Sequence, residues 1–244
     1  MSLSVELQLL ALTIGLYVFD SMLLLFPNEG LLTSIGKSKW HISFGSDTTR
    51  VRGKEVLFPN LFFPHRPIFK LSWDYEGVSS AKHMKVNWLA QKNLFKNLVI
   101  PIYAIAFAQF ILFPYVIFFF LTDLSIIIAI AYLYGSVLLA LFLIYRKRDL
   151  FHISKRNFFS LSFECLVCPP VAVNLIRKIS LSLPDINEDL LSVAKRLLED
   201  EVWQVTKNSF MSKLMEEIDF EDEGTPRYIK LIANRDKILL ESSR

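Results

Sequence analysis

The hydrophobic positions of this chain are clumped rather than spread. From Leu98 to Tyr145 the sequence is apolar, with Asp123 as the only formal charge, and the run stops at Arg146-Lys147-Arg148. A helix that crosses a bilayer needs about 20 apolar residues, so this run is long enough to cross twice. Thr122-Asp123 marks the turn, because Thr122 can cap the helix that follows while Asp123 faces water. The pattern predicts a transmembrane helical hairpin over residues 98–145. Small residues mark its seam: Ala104 and Ala108 lie one turn apart in the first arm, and Ser136 and Ala140 repeat that spacing at matching depth in the second. Small side chains let helix backbones approach. Pro101 is tolerated in a first turn, whereas Pro114 predicts a kink, since it removes a hydrogen bond and crowds the carbonyl four residues back.

Upstream, Leu7 to Phe26 is a second apolar run ended by Pro27-Asn28-Glu29-Gly30. It predicts a spanning helix within residues 1–27; without a basic leader or a small-residue cleavage site it does not read as a cleavable signal. Residues 28–97 change period. Trp40, Ile42 and Phe44 alternate with polar neighbours, as do Phe69, Leu71 and Trp73, and Arg50 to Phe58 reads as a strand between them. A three-stranded antiparallel meander is expected. Pro59, Pro64 and Pro67 forbid regular structure in the connection, yet Leu61, Phe62 and Phe63 are too apolar for a solvated loop. Either they plug the meander or they dip into the lipid interface. Residues 80–97 read as an interfacial helix, with Trp88 and Leu89 set among lysines.

Residues 146–244 read as mainly helical. Phe158 to Ile176 is apolar, but Glu164 and Pro169-Pro170 interrupt it, which predicts a short helix, a break, and a helix from Pro170 to Leu181 lying on the membrane or under the hairpin. Asp185 to Glu188 matches a capping pattern for an amphipathic helix that extends to Ile218 and is broken at Asn208-Ser209. The acidic run Glu216 to Glu223 reads as a solvated linker, and Tyr228 to Ile232 as a last strand.

Charge turns these elements into a topology. Residues 28–97 carry eleven Lys/Arg against five Asp/Glu, residues 146–156 five against one, and residues 157–244 eleven against fifteen. Positive charge resists translocation. The expected fold is therefore a mainly α membrane protein with three transmembrane helices, N-terminus out and C-terminus in. A small antiparallel β element follows the first helix, and the C-terminal helical domain is cytoplasmic. With 52% hydrophobic residues and a mean hydropathy of +0.38, the chain is too apolar for an ordinary soluble domain. The expected location is a bacterial inner (plasma) membrane. Basic segments beside the membrane favour anionic lipid headgroups over nucleic acid as partner.

The candidate chemistry is sparse. Asp20 lies inside the first apolar run, where an ionisable group costs about 2.5–3.5 kcal/mol on insertion scales, so it is either a functional group or the partner of a Lys or Arg. Gln109 and Tyr132, near the middle of their helices, could join a polar network or bond to each other. Cys165 and Cys168 have the spacing of a redox pair or half a zinc site, but further cysteines are lacking and their neighbours are apolar, which favours packing. Arg50, Arg52 and Lys54 would decorate one strand face. No Gly-rich phosphate loop, nucleophile elbow or zinc-protease motif occurs, so neither a cofactor nor a metal nor a catalytic residue is assigned. The expected role is a non-enzymatic integral membrane subunit or scaffold that docks another protein, or a further copy of itself, through its cytoplasmic face. A membrane-bound enzyme or thiol protein using Cys165/Cys168 or Asp20 is the alternative, and a small carrier component the third.

Overall fold

The computed structural model describes residues 5–36, 39–73, 86–120, 122–183 and 188–240. The chain forms two compact units, each built from separated segments. A helical unit comprises Met1–Leu23, Phe58–Ile68 and Asn87–Asp185; a mixed unit comprises Leu24–Leu57, Phe69–Val86 and Ile186–Arg244.

In the helical unit α1 spans Val5–Ser21. Asn87 caps α2 (Trp88–Leu94) by accepting from the Ala90 amide, and a tight turn at Lys96–Leu98 leads into α3 (Val99–Phe107). The chain then widens into a π-helical turn at Ala108–Leu112 before α4 (Phe113–Phe119). Pro114 is the cause. It has no N–H to give and crowds the carbonyl four residues back, so the ladder takes up an extra residue and the Phe113 amide bonds to the Ala108 carbonyl. Thr122 caps α5 (Asp123–Arg146), as its sequence predicts, by accepting from the Ser125 amide. With 24 residues α5 is about 36 Å long. The rod Trp88–Phe119 and α5 are each long and apolar enough to cross a membrane.

The α5 face that packs on α3 is fully buried at Ala140 and Val137, and Ala108 is its fully buried counterpart; Ala104 and Ser136 are half-buried. After α5 the chain doubles back. In α6 (Lys155–Val167) the ring of Phe158 stacks near Tyr145 at 5.3 Å. Further along, the carbonyl of Leu166 accepts from the Tyr134 hydroxyl at 3.1 Å. Tyr134 stands halfway along α5, so α6 climbs half its length antiparallel to it. Pro169-Pro170 ends the climb by opening α7 (Pro169–Ala172), and α8 (Leu175–Leu181) follows. Buried Leu175, Ile176 and Ile179 make α8 part of the core, whereas Phe159, Phe163 and Val167, one turn apart on α6, are exposed. The tract Phe158–Ile176 is thus a helix, a break and a return.

The described residues of the mixed unit form two three-stranded sheets, ordered β1-β5-β4 and β3-β2-β6. Their strands are β1 (Leu23–Leu25), β2 (Glu29–Ser34), β3 (Trp40–Ser43), β4 (Ser46–Val51), β5 (Lys54–Leu57) and β6 (Ile68–Ser72). Antiparallel β2 and β3 pair Leu32 with Ile42 and Ser34 with Trp40. Arg52 and Gly53, at φ 51° and 76°, turn β4 into β5 with the backbone twist that a two-residue hairpin requires. Three helices follow: α9 (Leu190–Leu197), α10 (Asp200–Asp219) and α11 (Pro226–Leu240). Phe210 on α10 is fully buried and meets Phe44 and Trp73 edge-on at 4.9 and 4.8 Å.

Several expectations are corrected. Helix α1 stops at Ser21, and Leu23–Leu25 is a strand rather than the last turn of a helix reaching Phe26, because pairing with β5 satisfies its backbone. Arg50 to Phe58 is a hairpin rather than one strand, and β2 lies where a terminating turn was expected. Tyr228 to Ile232 belongs to α11, not to a strand. The break in the amphipathic tract falls at Leu198-Glu199, with Asp189 as the cap of α9, while α10 runs unbroken through Asn208-Ser209. The expected cap at Asp185 and the first part of the interfacial helix lie outside the described residues. The expected domain 146–244 is divided, since Arg146 to Asp185 belongs to the helical unit.

A carboxylate holds the mixed unit together. Glu55 on β5 is fully buried; Lys213 of α10 reaches it at 2.6 Å and Arg50 at 3.4 Å. A Cβ on Gly45 would overlap the Glu55 side chain, so glycine is required beside it. Arg50, exposed on β4, also pairs with Glu216 at 2.5 Å, and the acidic run opens as the end of α10 rather than as a linker. Removing one partner of a buried pair strands the other, at roughly 3–5 kcal/mol. Glu55→Gln and Lys213→Met should each lower the stability of this unit by that order, and Glu55→Leu with Lys213→Met should recover much of it. Urea unfolding followed by tryptophan fluorescence reads this directly, since Trp40, Trp73 and Trp203 all lie here.

Candidate functional site

The polar residues of the helical unit converge at the end of α1. Its last turns present Tyr17, Asp20 and Ser21 on one side, by helical spacing. The break between α7 and α8 supplies Asn174, and the first turn of α8 supplies Arg177 and Lys178. The Asn174 amide donates to Asp20 Oδ2 at 3.0 Å and to Ser21 Oγ at 2.9 Å. Lys178 Nζ meets Asp20 Oδ1 at 2.8 Å and Glu164 of α6 at 3.1 Å. Arg177 donates to Asn174 Oδ1 at 3.1 Å. Its other arm reaches the backbone carbonyls of Asn60 and Phe63. The Tyr17 hydroxyl donates to the Leu61 carbonyl at 2.5 Å.

The network carries two acids and two bases, with Arg177, Asn174 and Ser21 buried. Opposite charges face one another inside it. It fastens α1, the 58–68 loop, α6 and α8 together. Beside Lys178 a cleft of about 230 Å³ opens between α6 and α8, lined among others by His152, Asn157, Ser160 and Glu164.

The same network settles the loop. Its carbonyls turn inward to Arg177 and Tyr17, and Phe62 turns out, 87% exposed. Leu61 and Phe63 are half-buried, and the Arg66 guanidinium sits 3.9 Å over the Phe63 ring. The triplet therefore does not plug a core. His65 stacks at 4.8 Å on Tyr103 of α3, and its Nδ1 is buried without a hydrogen-bond partner. Burial, with Arg66 and Arg177 nearby, pushes its pKa below the usual histidine value.

Of the sequence candidates, Asp20 falls in the network and its partners are Lys178 and Asn174. Cys165 is buried and Cys168 half-buried at the end of α6, both as free thiols. Among the described residues no group of three or more His, Cys, Asp or Glu is placed to hold a metal ion. Trp88 is 3% exposed, so it belongs to the core rather than an interface. Gln109 and Tyr132 do not pair: the Gln109 amide is buried without a partner, and Tyr132 meets Phe107 edge-on at 6.4 Å. Arg52 sits at a hairpin tip and Lys54 lies 4.4 Å over the Phe26 ring. Sequence reading did not propose Asn174, Arg177 or Lys178 as site residues, and it used Glu164 only as an interruption of an apolar run. Their value as a signal lay in their number: two bases and two acids within apolar stretches can be buried only together.

Two outcomes follow. Asp20→Asn should lower stability by roughly 1.5–3 kcal/mol, the range for hydrogen bonds to charged groups, and Asp20→Leu by more, because Lys178 is left with Glu164 alone and the Asn174 amide with Ser21 alone; thermal unfolding of the full chain in detergent checks both. A histidine whose pKa is lowered by folding adds stability above the ordinary value of 6.5 and loses it as pH falls through that value toward the folded one. The unfolding midpoint should therefore drop between neutral and mildly acidic pH, and less steeply in His65→Gln. Comparison with known protein families, with curated proteins and with solved structures finds no match to this chain, so the functional reading rests on its geometry.

Proposed function

We propose that this chain is an integral membrane protein in which α1, the rod of α3 and α4, and α5 cross the bilayer. In this reading α6 to α8 form a re-entrant hairpin that enters halfway and returns. The observation that carries it is the outer surface of the helical unit. Leu9, Leu12 and Leu16 on α1, Ile100, Phe107 and Ile111 on the second rod, and Ile127, Leu138 and Phe142 on α5 all stand exposed. Phe159, Phe163 and Val167 continue that surface on α6. So much outward apolar area on one unit requires cover, and lipid provides it on every side at once. The shape of α6 suits the hairpin, since 13 residues reach about 20 Å, less than the roughly 30 Å of a bilayer core. Its broken backbone at Cys168-Pro169 packs against protein, the condition under which irregular backbone is tolerated at depth.

The N-terminus lies outside, and the basic flanks Arg146-Lys147-Arg148 and Lys155-Arg156 meet anionic headgroups on the cytoplasmic side of an inner (plasma) membrane. The mixed unit is cytoplasmic and works as a non-enzymatic subunit or scaffold that docks a protein partner. Its exposed Val205, Phe220 and Ile229 support that role. Membranes washed in alkaline carbonate should retain the protein, and mild-detergent extracts should hold it in a particle heavier than one 28.2 kDa chain in its micelle. Release by carbonate would overturn the membrane reading. A monodisperse monomer that turns over a substrate unaided would overturn the scaffold.

A further inference from the structure

A second cleft, of about 310 Å³, lies between α1, α4 and the start of α7. Its walls include Leu10, Phe113, Ile117 and Leu133, and no charged side chain lines it. Three prolines, Pro114, Pro169 and Pro170, also line it, and none has an N–H to offer a ligand. One side chain breaks the pattern. Gln109 stands in the π-helical turn, is 4% exposed, and neither its amide nitrogen nor its amide oxygen has a hydrogen-bond partner. Thr13, across the cleft, spends its hydroxyl proton on the Leu9 carbonyl at 2.9 Å.

An amide buried with both ends unpaired is costly, and in hydrocarbon there is no bulk water to relieve it. A π-helical turn inside an apolar rod often marks a functional position. From this conjunction we infer that the cleft binds a neutral lipid with a free hydroxyl group, whose O–H and oxygen pair with the two ends of the Gln109 amide. The chain of the lipid lies along the apolar wall. The ligand is neutral because no counter-charge faces it. It carries a hydroxyl because the amide requires an acceptor and a donor together, which an ether or a hydrocarbon does not supply. The volume is at the lower end for small-molecule pockets, enough for the hydroxyl end and the first part of a chain.

The inference rests on the membrane reading above, and the test separates the two. The full chain in phosphatidylethanolamine–phosphatidylglycerol vesicles is irradiated with a long-chain alcohol that carries a diazirine and an alkyne. Parallel samples receive the matched methyl ether and the matched hydrocarbon. The alcohol should label cleft residues of α1, α4 or α7 at least about tenfold more than the hydrocarbon, with the ether between them, and unlabelled alcohol should compete. Gln109→Leu should abolish the preference while keeping the shape of the wall. Equal labelling by alcohol and hydrocarbon in the unmodified protein, or labels mapping away from the cleft, would overturn the inference even if the variant fails to fold. So would an alcohol preference that survives in folded Gln109→Leu. Carbonate extraction of the same vesicles reports separately on membrane insertion: protein that stays in the membrane without a hydroxyl preference defeats only the lipid site.

Discussion

Arg177 is buried in the helical unit, and its charge is met by backbone carbonyls rather than by a carboxylate of its own. Everything around it follows from that constraint. To bring acceptors to it, the 58–68 loop must fold with its Asn60 and Phe63 carbonyls inward, and Tyr17 holds the same loop at Leu61. Asn174 then relays between the guanidinium and the end of α1, while Lys178 closes the circuit to Asp20 and Glu164. Hydrogen bonds of this kind are worth little singly, but leaving one buried partner unmade costs the full desolvation of that group. The network is cooperative for that reason, and it fixes how far α1 can slide past α8.

Prolines set the other boundary conditions. Pro114 does not simply bend the rod; it inserts a residue into the turn and so changes which side chains face inward beyond it. Pro169-Pro170 stops α6 halfway along α5 and turns the chain back. Ala108 and Gln109 in the first break and Pro170 in the second are buried, and a cleft forms where the two breaks approach α1.

How far this was legible in the sequence depended on the range of the interaction. The hairpin, its Thr122 cap and its buried Ala108–Ala140 seam were readable, because apolar length, a capping residue and small-residue spacing are local signals. The interrupted tract from Phe158 was also read as helix, break and helix. What failed was decided by distant pairing. Leu23 to Leu25 looks like helix until β5 is beside it, and Tyr228 to Ile232 looks like strand until α10 is. Nor could the strand pattern around Arg50 foresee its ion pair with Glu216, which lies 166 residues away. At the candidate site the sequence singled out Asp20 as costly, but not the asparagine that shares it, since nothing local distinguishes one Asn in an apolar run from another.

The mixed unit is assembled from three stretches of chain, and the partner that neutralises Glu55 comes from the last of them. During synthesis β1 to β5 leave the ribosome long before α10. Until Lys213 emerges, Glu55 has only Arg50 as a cationic neighbour. The hydrophobic helices are made in the interval. The buried pair of the mixed unit is therefore completed only after the whole of the helical unit has been translated.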